Sequence, residues 1–161
     1  MQMRLLTVPI SLAVLIGCSG EASMPPGFND ACYGGDFSKN LVGAKPVYSA
    51  KLTLDHSSRA ALGAMLGRVA DKHRLKVFDE GVKYKELDLF LVYLCSRDGA
   101  FAYVDSRAAG SDAVLINVFS YRETWNSKSF VSELASELES RWPQRLRTDD
   151  PSKTTLMNSR L

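Results

Sequence analysis

Histidine is nearly absent from this chain: among 161 residues only His56 and His73 carry an imidazole. Two histidines without a cluster of cysteines or carboxylates around them make no zinc pattern. The 11 glycines fall at the wrong spacings for a phosphate-binding loop or a dinucleotide fingerprint. Neither sign of charge dominates, since 20 Lys and Arg against 18 Asp and Glu leave +2. That balance excludes a nucleic-acid partner, which would demand clustered Lys and Arg. The apolar run from Leu5 to Gly17 is too short for a permanent membrane helix, which needs about 20 residues. What is there, 45% hydrophobic and 24% charged, is the composition of a globular chain.

The short run has a different use. Arg4 precedes Leu5 to Ile16, and small residues follow, which is the layout of a secretory signal. Leu15-Ile16-Gly17-Cys18 closes it. With a Cys directly after Leu-Ile-Gly, these first 18 positions resemble a bacterial lipoprotein precursor, matching that family's lipobox. Pro9 within the apolar segment and the single Arg depart from the usual pattern, and both are tolerable in a helix used once and discarded. The resemblance implies cleavage before Cys18, diacylation of its thiol, and a domain held by lipid outside the cytoplasm. Ser19 in place of Asp implies, by the enteric rule, the outer membrane on its periplasmic side.

Removing residues 1–17 from the 161 leaves 144, enough for one domain. With Cys18 assigned to lipid, Cys32 and Cys95 remain in a compartment where disulfides persist. A bridge between them would close a span of 63 positions, stabilising the fold by about 4 kcal/mol in the chain-entropy description. The alternative is two free thiols, with Cys95 a small residue buried in an apolar strand. Residues 18–36 read as lipidated Cys, tether and irregular lead-in, broken by Gly20, Pro25, Pro26, Gly27, Gly34 and Gly35.

The domain itself is expected over 37–143. Tyr48 to Leu54 alternates as a half-buried strand. Asp55 or Ser57 can cap a helix reaching about Arg74, with Leu62, Met65, Leu66, Val69 and Ala70 on its apolar face. Gly63 and Gly67 each cost that helix about 1 kcal/mol relative to Ala, reasonable if its backbone lies close to a sheet. Leu75 to Asp79 is a short strand and Glu80 to Lys83 a turn. Leu87 to Cys95 carries apolar residues on both parities and reads as a central strand covered on both faces. Arg97-Asp98-Gly99 supplies a hairpin turn into Ala100 to Asp105, and Ala113 to Tyr121 follows as a further strand. A second helix runs from Asn126 to Trp142, with Phe130, Leu134, Leu138 and Trp142 along its stripe. Pro143 ends it, and 144–161 is expected to be a mobile tail. The order, β-α-β-β-β-β-α, predicts an α+β two-layer sandwich: a mostly antiparallel sheet of about five strands with both helices on one face. The first helix is expected to cross between two parallel strands.

No catalytic, metal or cofactor constellation stands out. Asp55-His56-Ser57 has the letters of a hydrolase triad, but sequence neighbours cannot adopt triad geometry. His73 answers the dipole at a helix C-terminus. Asp79-Glu80, Glu86-Asp88 and Asp149-Asp150 read as solvated turn charges. Tyr84, Phe101 and Trp125 are expected to be exposed, since they fall near turns or strand ends, and Tyr121-Arg122-Glu123-Thr124-Trp125 joins the last strand to the second helix. Tyr, Trp and Arg are enriched at binding hot spots, so Tyr121, Arg122, Trp125 and Tyr84 are the candidate partner-binding residues. Trp125 has an alternative role, as a hydrophobic staple at the helix entry. These readings favour a lipid-anchored protein that binds a protein partner in the periplasm without catalysis, as an envelope accessory subunit or a toxin-immunity protein. The alternatives are a carrier of an apolar ligand between Met65, Leu66 and the sheet, and an enzyme with an unrecognised site.

Overall fold

The computed structural model describes residues 26–32, 44–107, 109, 112–120 and 125–149, with the backbone alone for Asn29, Asp30 and Lys83 to Lys85. Alternation builds β1, Tyr48–Thr53: Ala50 and Leu52 are buried while Lys51 and Thr53 stay exposed. Asp55 then caps α2, His56–Lys72 (α1 is the short helix Phe28–Cys32 before it), with its carboxylate accepting from the Ser58 N–H at 2.9 Å. A side chain in that place satisfies one of the donors that a helix start leaves open. The expected face of Leu62, Met65, Leu66, Val69 and Ala70 is buried.

At the other end of α2 the chain closes a paired-bond stop. The Leu75 N–H donates to the Ala70 carbonyl at 2.8 Å and that of Arg74 to the Asp71 carbonyl at 3.1 Å. This places Arg74 in the left-handed region at φ 57°, a position that usually takes glycine. Buried Leu75 supplies the apolar contact that accompanies such a stop.

The remaining elements are β2 (Lys76–Asp79), a 3-10 helix (Gly81–Leu87), β3 (Leu91–Cys95), β4 (Ala100–Asp105), β5 (Ala113–Ser120), α3 (Ser127–Arg141) and β6 (Leu146–Asp149). Gly81 opens the 3-10 helix where a Cβ would lie 2.7 Å from the Leu89 carbonyl oxygen, so no larger residue fits there unchanged. Gly99, at φ 112°, turns the hairpin between β3 and β4.

The sheet has six strands in the order β2-β3-β4-β5-β1-β6, and every neighbouring pair is antiparallel. It is the expected α+β arrangement with one strand more than the sequence suggests. β1 and β2 do run the same way, as the crossover by α2 requires. They are not neighbours, however, because β3, β4 and β5 lie between them. Side chains of α2 and α3 share one core cluster with Leu52, Val92, Leu94, Ala102, Val104, Ile116 and Val118, so both long helices cover one face.

Four local expectations are corrected. The tail expected from 144 onward begins with β6, whose Leu146 to Asp149 pair with Leu52 to Ser49 of β1. The lead-in contains α1, a turn of helix whose Phe28 and Cys32 are fully buried. The strand expected from Leu87 starts at Leu91, because the residues from Gly81 to Leu87 wind as 3-10 helix. Gly63 and Gly67 make no close approach to the sheet: a Cβ at either would meet nothing within 4 Å.

Candidate functional site

The second face of the sheet is assembled by register alone. Directly paired residues of a sheet project to the same side, and the pairings run through one row of six. Asp149 lies opposite Ser49, Ser49 opposite Asn117, Asn117 opposite Tyr103, Tyr103 opposite Tyr93, and Tyr93 opposite Phe78. The row therefore passes from carboxylate through hydroxyl and amide to phenol and phenyl. A parallel row holds Arg147, Lys51, Leu115, Asp105 and Leu91, and a third holds Phe119, Phe101 and Cys95.

The aromatic half is closed. Phe28 of α1 packs with ring centroids 5.3 Å from Phe78, 5.8 Å from Tyr93 and 6.2 Å from Phe101. Phe101 in turn meets Phe119 at 6.0 Å. A disulfide joins Cys32 to Cys95 with Cα atoms 5.2 Å apart, within the span such a bond allows. α1 is thus fastened to the sheet by one buried ring and one covalent bond.

Where the aromatics end, polar groups satisfy one another. The Ser49 hydroxyl donates to the Asn117 Oδ1 at 2.9 Å, and Asn117 also bonds the Tyr103 hydroxyl. Arg107 clasps the Asp105 carboxylate through Nε at 3.0 Å and Nη2 at 2.7 Å, and its own backbone N–H donates to the same group at 2.7 Å. Arg107 also bonds the Tyr93 hydroxyl. Burial holds both phenols above their ordinary pKa, and the Asp105 partnership raises that of Arg107. At neutral pH the phenols are therefore uncharged. Such an arrangement can hydrogen-bond and pack, while its carboxylate is already fully engaged. The sequence pattern held one usable signal for this cluster: Phe101, Tyr103 and Asp105 share a parity with Arg107 just beyond.

The residues singled out from sequence are placed unevenly. Cys18, Tyr121 and Arg122 lie outside the described residues, as does the Tyr84 side chain, although its backbone belongs to the 3-10 helix. Phe101, expected to be exposed, is buried within the aromatic half, because the face it projects from is covered by α1. Trp125 is half-buried and immediately precedes Asn126, whose side chain caps α3 by accepting from the Lys128 N–H. Its ring lies 5.7 Å from that of Phe130, the fourth residue of α3. That spacing across a cap is a hydrophobic staple.

The hydrolase-like letters are dispersed into separate structural bonds. Asp55 accepts from Ser58, Ser57 and Arg145, and those hydrogen bonds hold its carboxyl well below the ordinary value. His56 instead meets Asp88 at 2.9 Å. His73 caps α2 and also joins it to α3, with Nε2 2.9 Å from Glu133 and its ring edge-on to Phe130. Lys72 bonds the other oxygen of that carboxylate at 2.9 Å. Glu80 is buried, contrary to the expectation of a solvated turn charge. Met65 and Leu66, where a carrier would need a cavity, are fully buried in the core. An open polar cleft of about 410 Å³ lies elsewhere, between Asp55, Ser58 and the α3–β6 turn at Trp142 to Arg145.

Compared with known proteins, the chain matches no family model and no curated sequence.

Proposed function

We propose that this protein is a lipid-anchored envelope protein that works by binding another protein on the periplasmic side, without catalysis. The observation that carries the reading is Leu15-Ile16-Gly17-Cys18 after a short apolar run. A chain tethered there has a fixed address and meets partners in two dimensions. The Cys32–Cys95 bridge supports an oxidising compartment. The carboxylates bonded around the fold support binding over chemistry, since Asp55, Asp88, Asp105 and Glu133 each hold structural partners. For the contact itself the candidate remains the segment Tyr121 to Trp125, with Trp125 half-exposed at the entry of α3 on the helical side of the sheet.

Two measurements test this reading. Fatty-acid labelling of cells should mark the wild type and not Cys18→Ser; equal labelling refutes the anchor. For the contact, the partner is captured with the mature protein and its affinity measured against Trp125→Ala together with thermal melting. A hot spot loses about 2 kcal/mol or more of affinity on truncation. A residue acting as a staple alone lowers the melting temperature and leaves the affinity of the folded fraction unchanged, which would remove Trp125 from the contact. Neighbouring genes separate an assembly subunit from an immunity protein, since each job has its own companion frame.

A further inference from the structure

At the β1–β6 edge the second face exposes charged side chains of an unusual arrangement. Lys51 and Arg147 are directly opposed across β1 and β6, a like-charged cross-strand pair that ordinarily destabilises a sheet. Both are exposed, and among the described residues neither forms an ion pair. Exposed Lys45 borders the same side, following Ala44, which packs against the aromatic cluster. Among the described residues the exposed acid beside this pair is Asp149, opposite buried Ser49; Asp105 is paired with Arg107. Among the described residues the exposed strip is therefore net basic.

The same face is where the chain enters the domain. α1 is bonded there through Cys32, and Gly27, just before it, is exposed. Nine residue steps separate Cys18 from Gly27, a reach of about 30 Å at full extension. A lipid on Cys18 would thus hold the chain's entry point, on this side of the sheet, within about 30 Å of the bilayer, while α2 and α3 cover the far side. We propose that the strip carrying Lys51 and Arg147 rests on the anionic headgroups of the membrane that anchors the protein. The proposal rests on the lipoprotein reading above. It leaves the helical side, with Trp125, turned toward the periplasm for a partner.

The test is amine footprinting of the purified lipidated protein in vesicles, with the mass of its N-terminal peptide read in the same samples. Vesicles of phosphatidylcholine and phosphatidylglycerol are compared with vesicles of phosphatidylcholine alone. Acylation of Lys51 should slow roughly fivefold on the anionic vesicles, the scale of one basic residue near a charged bilayer. Lys128, on α3, serves as the reference and should react equally on both. About 0.5 M salt should restore Lys51, because exposed charges are screened over a few ångströms there. A lipidated N-terminus with Lys51 equally reactive on both vesicles would overturn the proposal and leave the anchor standing. An N-terminus without lipid would overturn both. Protection of Lys51 in whole envelopes but not in protein-free anionic vesicles would also overturn it, assigning the strip to an acidic protein.

Discussion

Phe28 offers the sharpest way to weigh how α1 is held. Its ring is fully buried against Phe78, Tyr93 and Phe101. Phe→Ala at a fully packed site costs about 3–5 kcal/mol when the surroundings cannot collapse into the space. The disulfide contributes separately, about 4 kcal/mol by loop entropy across its 63 positions. The two are not independent, because both act on one five-residue helix. With the bridge present, α1 cannot leave the sheet, so Phe28→Ala should express its cost as a hole in the aromatic half. With Cys32 and Cys95 both replaced by Ala, the loosened helix can detach, and the same substitution should cost about 1 kcal/mol or more less, as contacting sites in a cycle do. Urea denaturation of the four proteins gives these differences, provided the slopes stay equal. A loss below about 1 kcal/mol for Phe28→Ala in the bridged protein would refute the packing argument. Strict additivity would refute the claim that ring and bond hold one unit.

Gly63→Ala and Gly67→Ala should each stabilise the domain by about 1 kcal/mol, since a methyl group at either enters open space while the helix gains propensity; calorimetry should show each melting roughly 3 °C higher, and a lower melting temperature would contradict the open geometry. The Glu133 carboxyl sits below its ordinary value because Lys72, then His73, hydrogen-bond its charged form. A folded-state pKa lowered in this way contributes stability above the unfolded value and loses it as pH falls through the folded one. Stability of the wild type should therefore decline toward acid more steeply than that of Glu133→Gln, with Asp55 retaining part of the slope in both; superimposable acid limbs would show that the link between α2 and α3 is not charged.

The legible parts of the fold were those in which one residue type repeats at one period. Leu62, Met65, Leu66, Val69 and Ala70 mark the buried stripe of α2, and Phe130, Leu134 and Leu138 that of α3, because a helix buries a single face. Strand β6 was invisible for the opposite reason. Leu146 is its one apolar residue, and the strand is held by backbone pairing to β1, which leaves no side-chain pattern. α1 was hidden by the glycines and prolines around it; five residues have no helical tendency of their own, and the ring and the disulfide supply what holds them. Phe101 misled because it lies one residue into β4, beside the hairpin turn. Both of its faces are covered, and alternation cannot tell a covered face from a wet one. The clasp of Asp105 by Arg107 needed the turn geometry beyond β4, and the row from Ser49 to Tyr93 needed the register of four strands.

The position of β1 also sets the order in which this domain can be built. β2 to β5 form a meander whose partners lie close in sequence, but β1 docks on β5 across 60 to 70 positions and β6 docks on β1 across about 100. Contacts at such separations carry a loop-closure cost before they return any stabilisation, and sheets dominated by them fold on the millisecond-to-second scale. β1 emerges first from any vectorial process, yet its place beside β5 does not exist until residue 120 has arrived, and β6 has no template before β1 is seated. Pulse-labelled hydrogen exchange should accordingly protect the β3 and β4 amides first and those of β6 last. Simultaneous protection of all six strands would instead mean that the sheet condenses in a single step.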